Sequence, residues 1–164
     1  MDALSQIPLT MCTTGGVFTG TSAFGANTTY ATTVTINFMI KGIMNTAAKG
    51  AVTGGTTPTT DGNTGAAITL TANYGTVVVW GMNLAGTVSV YKGSTEALDA
   101  TGAFIIAPQF PIVPDSICPF AYQVIKAGAT TSGTWTFGSS NWNATGLSHS
   151  AKDVGTLPPR PVVS

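Results

Sequence analysis

The chain has 164 residues and a formal net charge of +0 at pH 7, and charged side chains make up only 7% of it, against about 25% in an ordinary soluble domain. That length is one domain's worth, enough to bury a core without metal or disulfide support. The few cations are dispersed with no Lys/Arg cluster, which argues against nucleic acid, whose backbone must be neutralised, and the apolar runs are strand-length, too short for a transmembrane helix.

A neutral surface with so few ionic groups has little electrostatic protection against association. Interface cores are themselves depleted in Lys, Glu and Asp. The composition therefore predicts that neighbouring subunits cover much of this surface.

In chain order, residues 1–30 are rich in Thr, Gly and Ser with scattered apolar residues such as Ile7, Leu9, Val17, Phe18 and Phe24, which reads as an extended N-terminal arm with a weak strand. The opening stretch MDALSQIPLT carries Asp2 in place of a basic region and is interrupted by Pro8, so it does not read as a signal peptide. Over 33–41, Val34, Ile36, Phe38 and Ile40 alternate with Thr33, Thr35, Asn37, Met39 and Lys41, predicting a strand with one core face. Around Asn45–Lys49 the Ala pair could start one helical turn but is too short to carry a helix unaided. The segment 50–65, GAVTGGTTPTTDGNTG, reads as loop, because Gly54-Gly55, Pro58 and Asp61-Gly62 are turn signals in close succession. Ile68 and Leu70 alternating with Thr69 and Thr71 predict the next strand.

The stretch Gly75–Gly93 predicts the hairpin around which the chain is organised. Val77, Val78, Val79 and Trp80 put apolar groups on both faces of one strand, whereas Val88 and Val90 alternate with Thr87, Ser89 and Tyr91 in its partner. Asn83-Leu84-Ala85-Gly86 is the turn, ending at a residue that tolerates positive φ. A strand apolar on both faces needs two covers. One face of Val77–Met82 is expected on the strand Val34–Ile40, the other against a second sheet or a neighbouring subunit.

Farther on, Ser94–Gly102 is expected to form one capped helical turn, with Ser94 or Thr95 as N-cap and Gly102 just past its end. Phe104–Ala107 reads as a strand stopped by Pro108. Pro108, Pro111, Pro114 and Pro119 cannot donate to a ladder, so their segment suits an edge or a crossover between sheets. Ala121–Lys126 reads as a strand, Gly128–Gly133 as its turn, and Thr134–Phe137 as the next strand, with Trp135 and Phe137 on one face. LPPRPVVS closes the chain as a proline-rich extended tail. The whole predicts an all-β fold: an antiparallel β-sandwich or barrel-like domain over 31–150, flanked by the arm at 1–30 and the tail at 151–164.

Few residues invite chemistry. His149 is the only histidine, so any Ser-His-Asp arrangement must use it, but Ser148-His149-Ser150 reads as an exposed loop. Glu96 and Asp99 could share a face of the short helical turn, where carboxylates also occur for capping reasons alone. Asp61-Gly62-Asn63 resembles the start of a calcium loop, but residue 72 is Ala where a bidentate Glu is required. Gly54-Gly55-Thr56-Thr57 lacks the lysine of a phosphate loop. Without a secretory signal, Cys12 and Cys118 are expected as reduced, buried thiols, and the Asn27 and Asn143 sequons as by-products of a Thr-rich chain. Trp135, Phe137 and Trp142 could form a sugar-stacking platform, although the alternation of the first two favours core packing. Thr33/Thr35, Thr69/Thr71 and Thr134/Thr136 could form a flat hydroxyl array, but no regular repeat aligns them. No catalytic, cofactor-binding or metal-ligating residue is expected, and no cofactor.

The runs TTPTTDGNTGAA, VVVWGMNLAGTVSVYKG, APQFPIVPDSICPFAYQVIKAG and WTFGSSNWNATG together resemble uncharacterised virion structural proteins of tailed bacteriophages, in texture and segment order over roughly residues 34–164. The resemblance carries no catalytic residues across. It implies a structural particle component, most like a capsid decoration (cement) protein, located in the virion and assembled in the host cytoplasm. Its implied partners are the major capsid protein and copies of itself, in a symmetric homo-oligomer such as a trimer, with the terminal arms lying on neighbours. A head-fibre, tail or receptor-binding component contacting host glycans is the alternative.

Overall fold

A computed structural model describes residues 10–14, 18, 29–45, 52–159 and 161–163. Over these the chain runs through β1 (Met11–Cys12), β2 (Thr29–Thr32), β3 (Phe38–Ile40), β4 (Ile43–Met44), β5 (Val52–Thr56), β6 (Thr69–Thr71), β7 (Tyr74–Met82), β8 (Val88–Ala97), β9 (Cys118–Ala127), β10 (Thr134–Thr136) and β11 (Leu147–Asp153). Every strand pairing is antiparallel and the described residues hold no helix, so the fold is all-β and sandwich-like, without a closed barrel. The principal sheet has the order β11-β9-β7-β8, and smaller sheets β1-β3-β4, β2-β5 and β10-β6 complete the fold.

The predicted hairpin is the centre of this arrangement. Met82 pairs with Val88, and the turn between them closes as its sequence requires: Gly86 sits at φ 79°, its amide donates to the Asn83 carbonyl at 2.9 Å, and the Asn83 side chain accepts from the Thr87 amide at 2.9 Å. β7 lies between β8 and β9, and the side chains of Val77–Trp80 are wholly buried, alternately on the two faces of the sheet. Each such side chain contributes roughly 1.5–3 kcal/mol by leaving water.

On the first face, Val78, Trp80 and Met82 join a cluster with Ile36, Phe38, Ile40, Leu70, Trp135, Phe137 and Trp142. The alternation over 33–41 is observed, with Ile36, Phe38 and Ile40 inside and Thr33, Thr35 and Asn37 exposed, although only Phe38–Ile40 is laddered, between β1 and β4. This confirms the expected cover for one face of β7.

The second face corrects the expectation of a second sheet or a neighbouring subunit. Val77, Val79, Tyr91, Tyr122 and Val124 are covered by Phe104, by Phe110, Val113 and Ile117 from the proline-rich segment, and by Val154, Leu157 and Val163 from the C-terminal tail. Prolines that cannot join a ladder can still lay an extended chain across a sheet. The Phe110 ring meets Tyr122 edge-on at 5.1 Å, and the Val162 amide donates to the Tyr122 hydroxyl at 3.0 Å. The tail thus packs on its own sheet, and it starts after β11, which runs to Asp153.

Several local expectations also change. Val52–Thr56, read as loop, pairs with β2 in spite of its Gly pair, since Gly54 sits at φ 67° where the strand is irregular. Ser94–Ala97 forms no helical turn but extends β8, and Asp99 caps the turn that follows by accepting from the Thr101 and Ala103 amides at 2.8 and 2.9 Å. Phe104–Ala107 contributes only an isolated bridge, Leu98↔Phe104, and leaves Ile105 and Ile106 exposed. β9 begins at Cys118, three residues ahead of its predicted start, because Pro119 sits beside a bulge at Phe120, where its missing N–H costs no ladder bond. Most of the N-terminal arm, and residues 46–49 of the expected turn, lie outside the described residues.

Candidate interaction surface

The residues that invited chemistry are occupied with structure. Asp61 is buried, and its carboxylate accepts from the Lys92 amide at 3.0 Å and from the Thr64 hydroxyl and amide at 2.7 and 3.1 Å. Burial pushes that carboxyl up, but these bonds together outweigh it and hold the carboxyl below its ordinary value. They tie the 61–65 turn to the edge of β8, where Asp61 bridges Val90. Glu96 lies in β8 and Asp99 in the turn beyond it, so they do not share a helical face. Among the described residues no three His, Cys, Asp or Glu side chains gather into a metal-binding group.

His149 corrects the loop expectation. It lies within β11, opposite Ile125 of β9, with its ring 5.1 Å from that of Trp142 and its Nδ1 3.4 Å from the amide of Gln123. Burial holds its pKa below the ordinary value. Trp135, Phe137 and Trp142 are buried in one aromatic cluster with centroid separations of 5.2–6.1 Å, so they present no platform to a sugar. Thr71 pairs with Thr134 and Thr69 with Thr136 across β6 and β10, a small patch without a continuing row.

Cys12 and Cys118 are both free and buried in the first cluster. Burial pushes both thiols up, and for Cys118, with the nearby Cys12 adding, to about 12. Because the thiolate is the reactive form, neither cysteine is expected to be alkylated by iodoacetamide at pH 8 in the native chain, while both react in denaturant. Mass spectrometry checks this, and rapid native labelling would contradict it.

What the structure does present is aliphatic surface. β3 and β4 turn tightly through Lys41 and Gly42, both at positive φ (51° and 77°), as a two-residue hairpin demands. The tip carries Ile43, 59% exposed, and Met44 beside it. The turn of the β7–β8 hairpin brings Leu84 and Ala85 to the same place, and with Ile40 and Ser116 they line a groove of about 390 Å³. Lys41 and Asp115 pair at 3.7 Å, both well exposed, and such surface pairs orient more than they stabilise. A second groove of about 410 Å³ runs between Ile106, Pro108 and Phe110 and the tail's Pro159 and Pro161. Ile105 and Ile106 stand 66% exposed and Ile112 88%. The alternation and loop patterns did not mark these positions. Tight-turn chemistry at Lys41-Gly42 and the unladdered aliphatics between prolines were the available signals. No family model matches the chain, and no curated protein or solved structure matches it either.

Proposed function

We propose that this chain is a non-enzymatic virion structural protein that binds the capsid surface of a tailed bacteriophage as a decoration (cement) protein, in contact with the major capsid protein and with copies of itself. The observation that carries this reading is the conjunction of a nearly uncharged surface with large aliphatic side chains standing exposed at the β3–β4 and β7–β8 hairpin tips. Such a surface loses less by desolvation than a charged one when a partner covers it. The engagement of Asp61 and His149 in internal hydrogen bonds supports a role without turnover, and the likeness of the segments to phage virion proteins supports the choice of partner.

Quantitative mass spectrometry of purified particles tests the proposal, with the chain expected in fixed proportion to the major capsid protein. Its absence, or a few copies per particle, would refute the decoration role. The double substitution Ile43→Asp and Leu84→Asp alters two exposed side chains, so the variant is expected to keep its fold by circular dichroism and to fail to associate with particles.

A further inference from the structure

A polar relay crosses the principal sheet from its central strand to its edge. The indole of Trp80 in β7 can only donate, and its Nε1 lies 3.2 Å from Oε1 of Gln123 in β9. That bond fixes the amide, so Nε2 of Gln123 must face β11. There it lies 3.4 Å from Nδ1 of His149. An amide nitrogen only donates, so Nδ1 must accept, and the neutral ring carries its proton on Nε2. Gln123 is fully buried while His149 is half-buried, so solvent reaches the ring but not the amide. The charged groups on the strands that hold His149 are Lys126 of β9, which lines a cavity of about 160 Å³ with His149 and Val163, and Lys152 and Asp153 of β11. Asp153 accepts from the Phe18 amide at 3.0 Å, and the Lys126 ammonium lies 5.2 Å over the Phe104 ring.

We propose that Trp80, Gln123 and His149 form an acid-sensitive latch that holds edge strand β11, and through it the C-terminal tail, on the sheet. When solvent supplies a proton to Nδ1, both ring nitrogens become donors and Gln123 Nε2 faces one of them. Rotating the amide restores that contact but sets its NH₂ against the Trp80 N–H. One buried hydrogen bond is lost in either orientation, because each member of the relay has a single workable polarity. The tail that follows β11 contributes Val154, Leu157 and Val163 to the cover of the second face, so loosening β11 loosens that cover.

The direction of the effect follows from the burial of the ring, which disfavours the cation and depresses the native pKa below 6.5. The unfolded chain then binds the proton first, so stability is full above the unfolded value and falls as pH drops below it.

The test is nuclear magnetic resonance of the full chain between pH 7.5 and 5. The Trp80 indole N–H resonance, two hydrogen bonds from the ring, is expected to shift with the same midpoint as the His149 imidazole, and that midpoint is expected below 6.5. The melting temperature is expected to fall by about 3 °C from pH 7 to pH 5, the scale of losing one buried hydrogen bond. In His149→Gln, which keeps an acceptor without titrating, both changes should vanish. An indole resonance that stays still through the histidine titration, or a midpoint at or above 6.5, overturns the latch. Should the variant fail to fold, the wild-type titration decides alone.

Discussion

Trp80→Ala is expected to abolish the folded domain, not merely its assembly. The indole is fully buried, and its ring lies 5.1 Å from Phe18, 5.2 Å from Tyr30 and 5.7 Å from Phe137. It therefore joins the N-terminal segment, β2 and the segment after β10 to the central strand of the principal sheet. Truncating a buried tryptophan costs about 3–5 kcal/mol through lost transfer energy and the cavity left behind. The change also strands Oε1 of Gln123, a buried acceptor whose desolvation costs about 1–3 kcal/mol more. A domain of this size holds about 5–15 kcal/mol in total. Urea denaturation followed by circular dichroism should show the transition displaced to very low denaturant or missing. A variant with wild-type midpoint that had lost only its ability to associate would mean that a neighbouring subunit, and not the chain itself, covers this face.

That contrast separates what the sequence makes legible from what it hides. Val34, Ile36, Phe38 and Ile40 could be read because a period of two over a full strand has one explanation, a single buried face. The same holds for Val77–Trp80, whose unbroken run announces two covers. The identity of the second cover was not legible. Phe104, Phe110 and Val113 follow no period, because a chain interrupted by prolines packs wherever its side chains fall. β5 was hidden by Gly54-Gly55, residues that signal turns unless a partner strand supplies the ladder, and β2 supplies it from far upstream, in the Thr29↔Thr56 to Thr32↔Val52 register. No local window contains both strands. His149 was placed in a loop for a related reason. Ser148, Ser150 and Lys152 are weak strand formers, and β11 exists because β9 offers a seven-pair register. The candidate surface was legible only as a charge deficit. Which aliphatic residues stand exposed depends on where the hairpin tips meet, and that is a property of the tertiary fold.

The second large effect is expected at Gly93, a residue with no side chain to lose. Gly93 and Ser94 lie opposite Val77 in a bulge of β8, where the register slips between Thr76 and Val78. A Cβ at Gly93 would overlap the carbonyl oxygen of Gln109 and stand 2.7 Å from Cγ1 of Val77 and 3.2 Å from the Val77 carbonyl oxygen. The nearest of these is backbone, which cannot rotate away as the end of a flexible side chain would. Gly93→Ala must therefore push Gln109 off the sheet edge, where it is held by the Ser94 amide donating to its carbonyl at 3.1 Å and by its own amide donating to the Ser94 hydroxyl at 2.9 Å. Overpacking of this kind costs about 1–3 kcal/mol, and each of the two lost bonds adds about 1 kcal/mol. The damage should be directional. Gln109 precedes Phe110 and Val113, so the proline-rich cover of the second face lifts while the first cluster, on the opposite side of β7, keeps its packing. Limited proteolysis should cut Gly93→Ala first between Phe104 and Ile117, with near-wild-type tryptophan emission, because Trp80, Trp135 and Trp142 all lie in the first cluster. Ser94→Ala, which removes one of the two bonds and adds no atoms, should loosen the same segment by about 1 kcal/mol. Cleavage spread evenly over the chain in Gly93→Ala would show that the proline-rich layer and the sandwich beneath it unfold as one unit, and that the second cover is as essential to the sheet as the first.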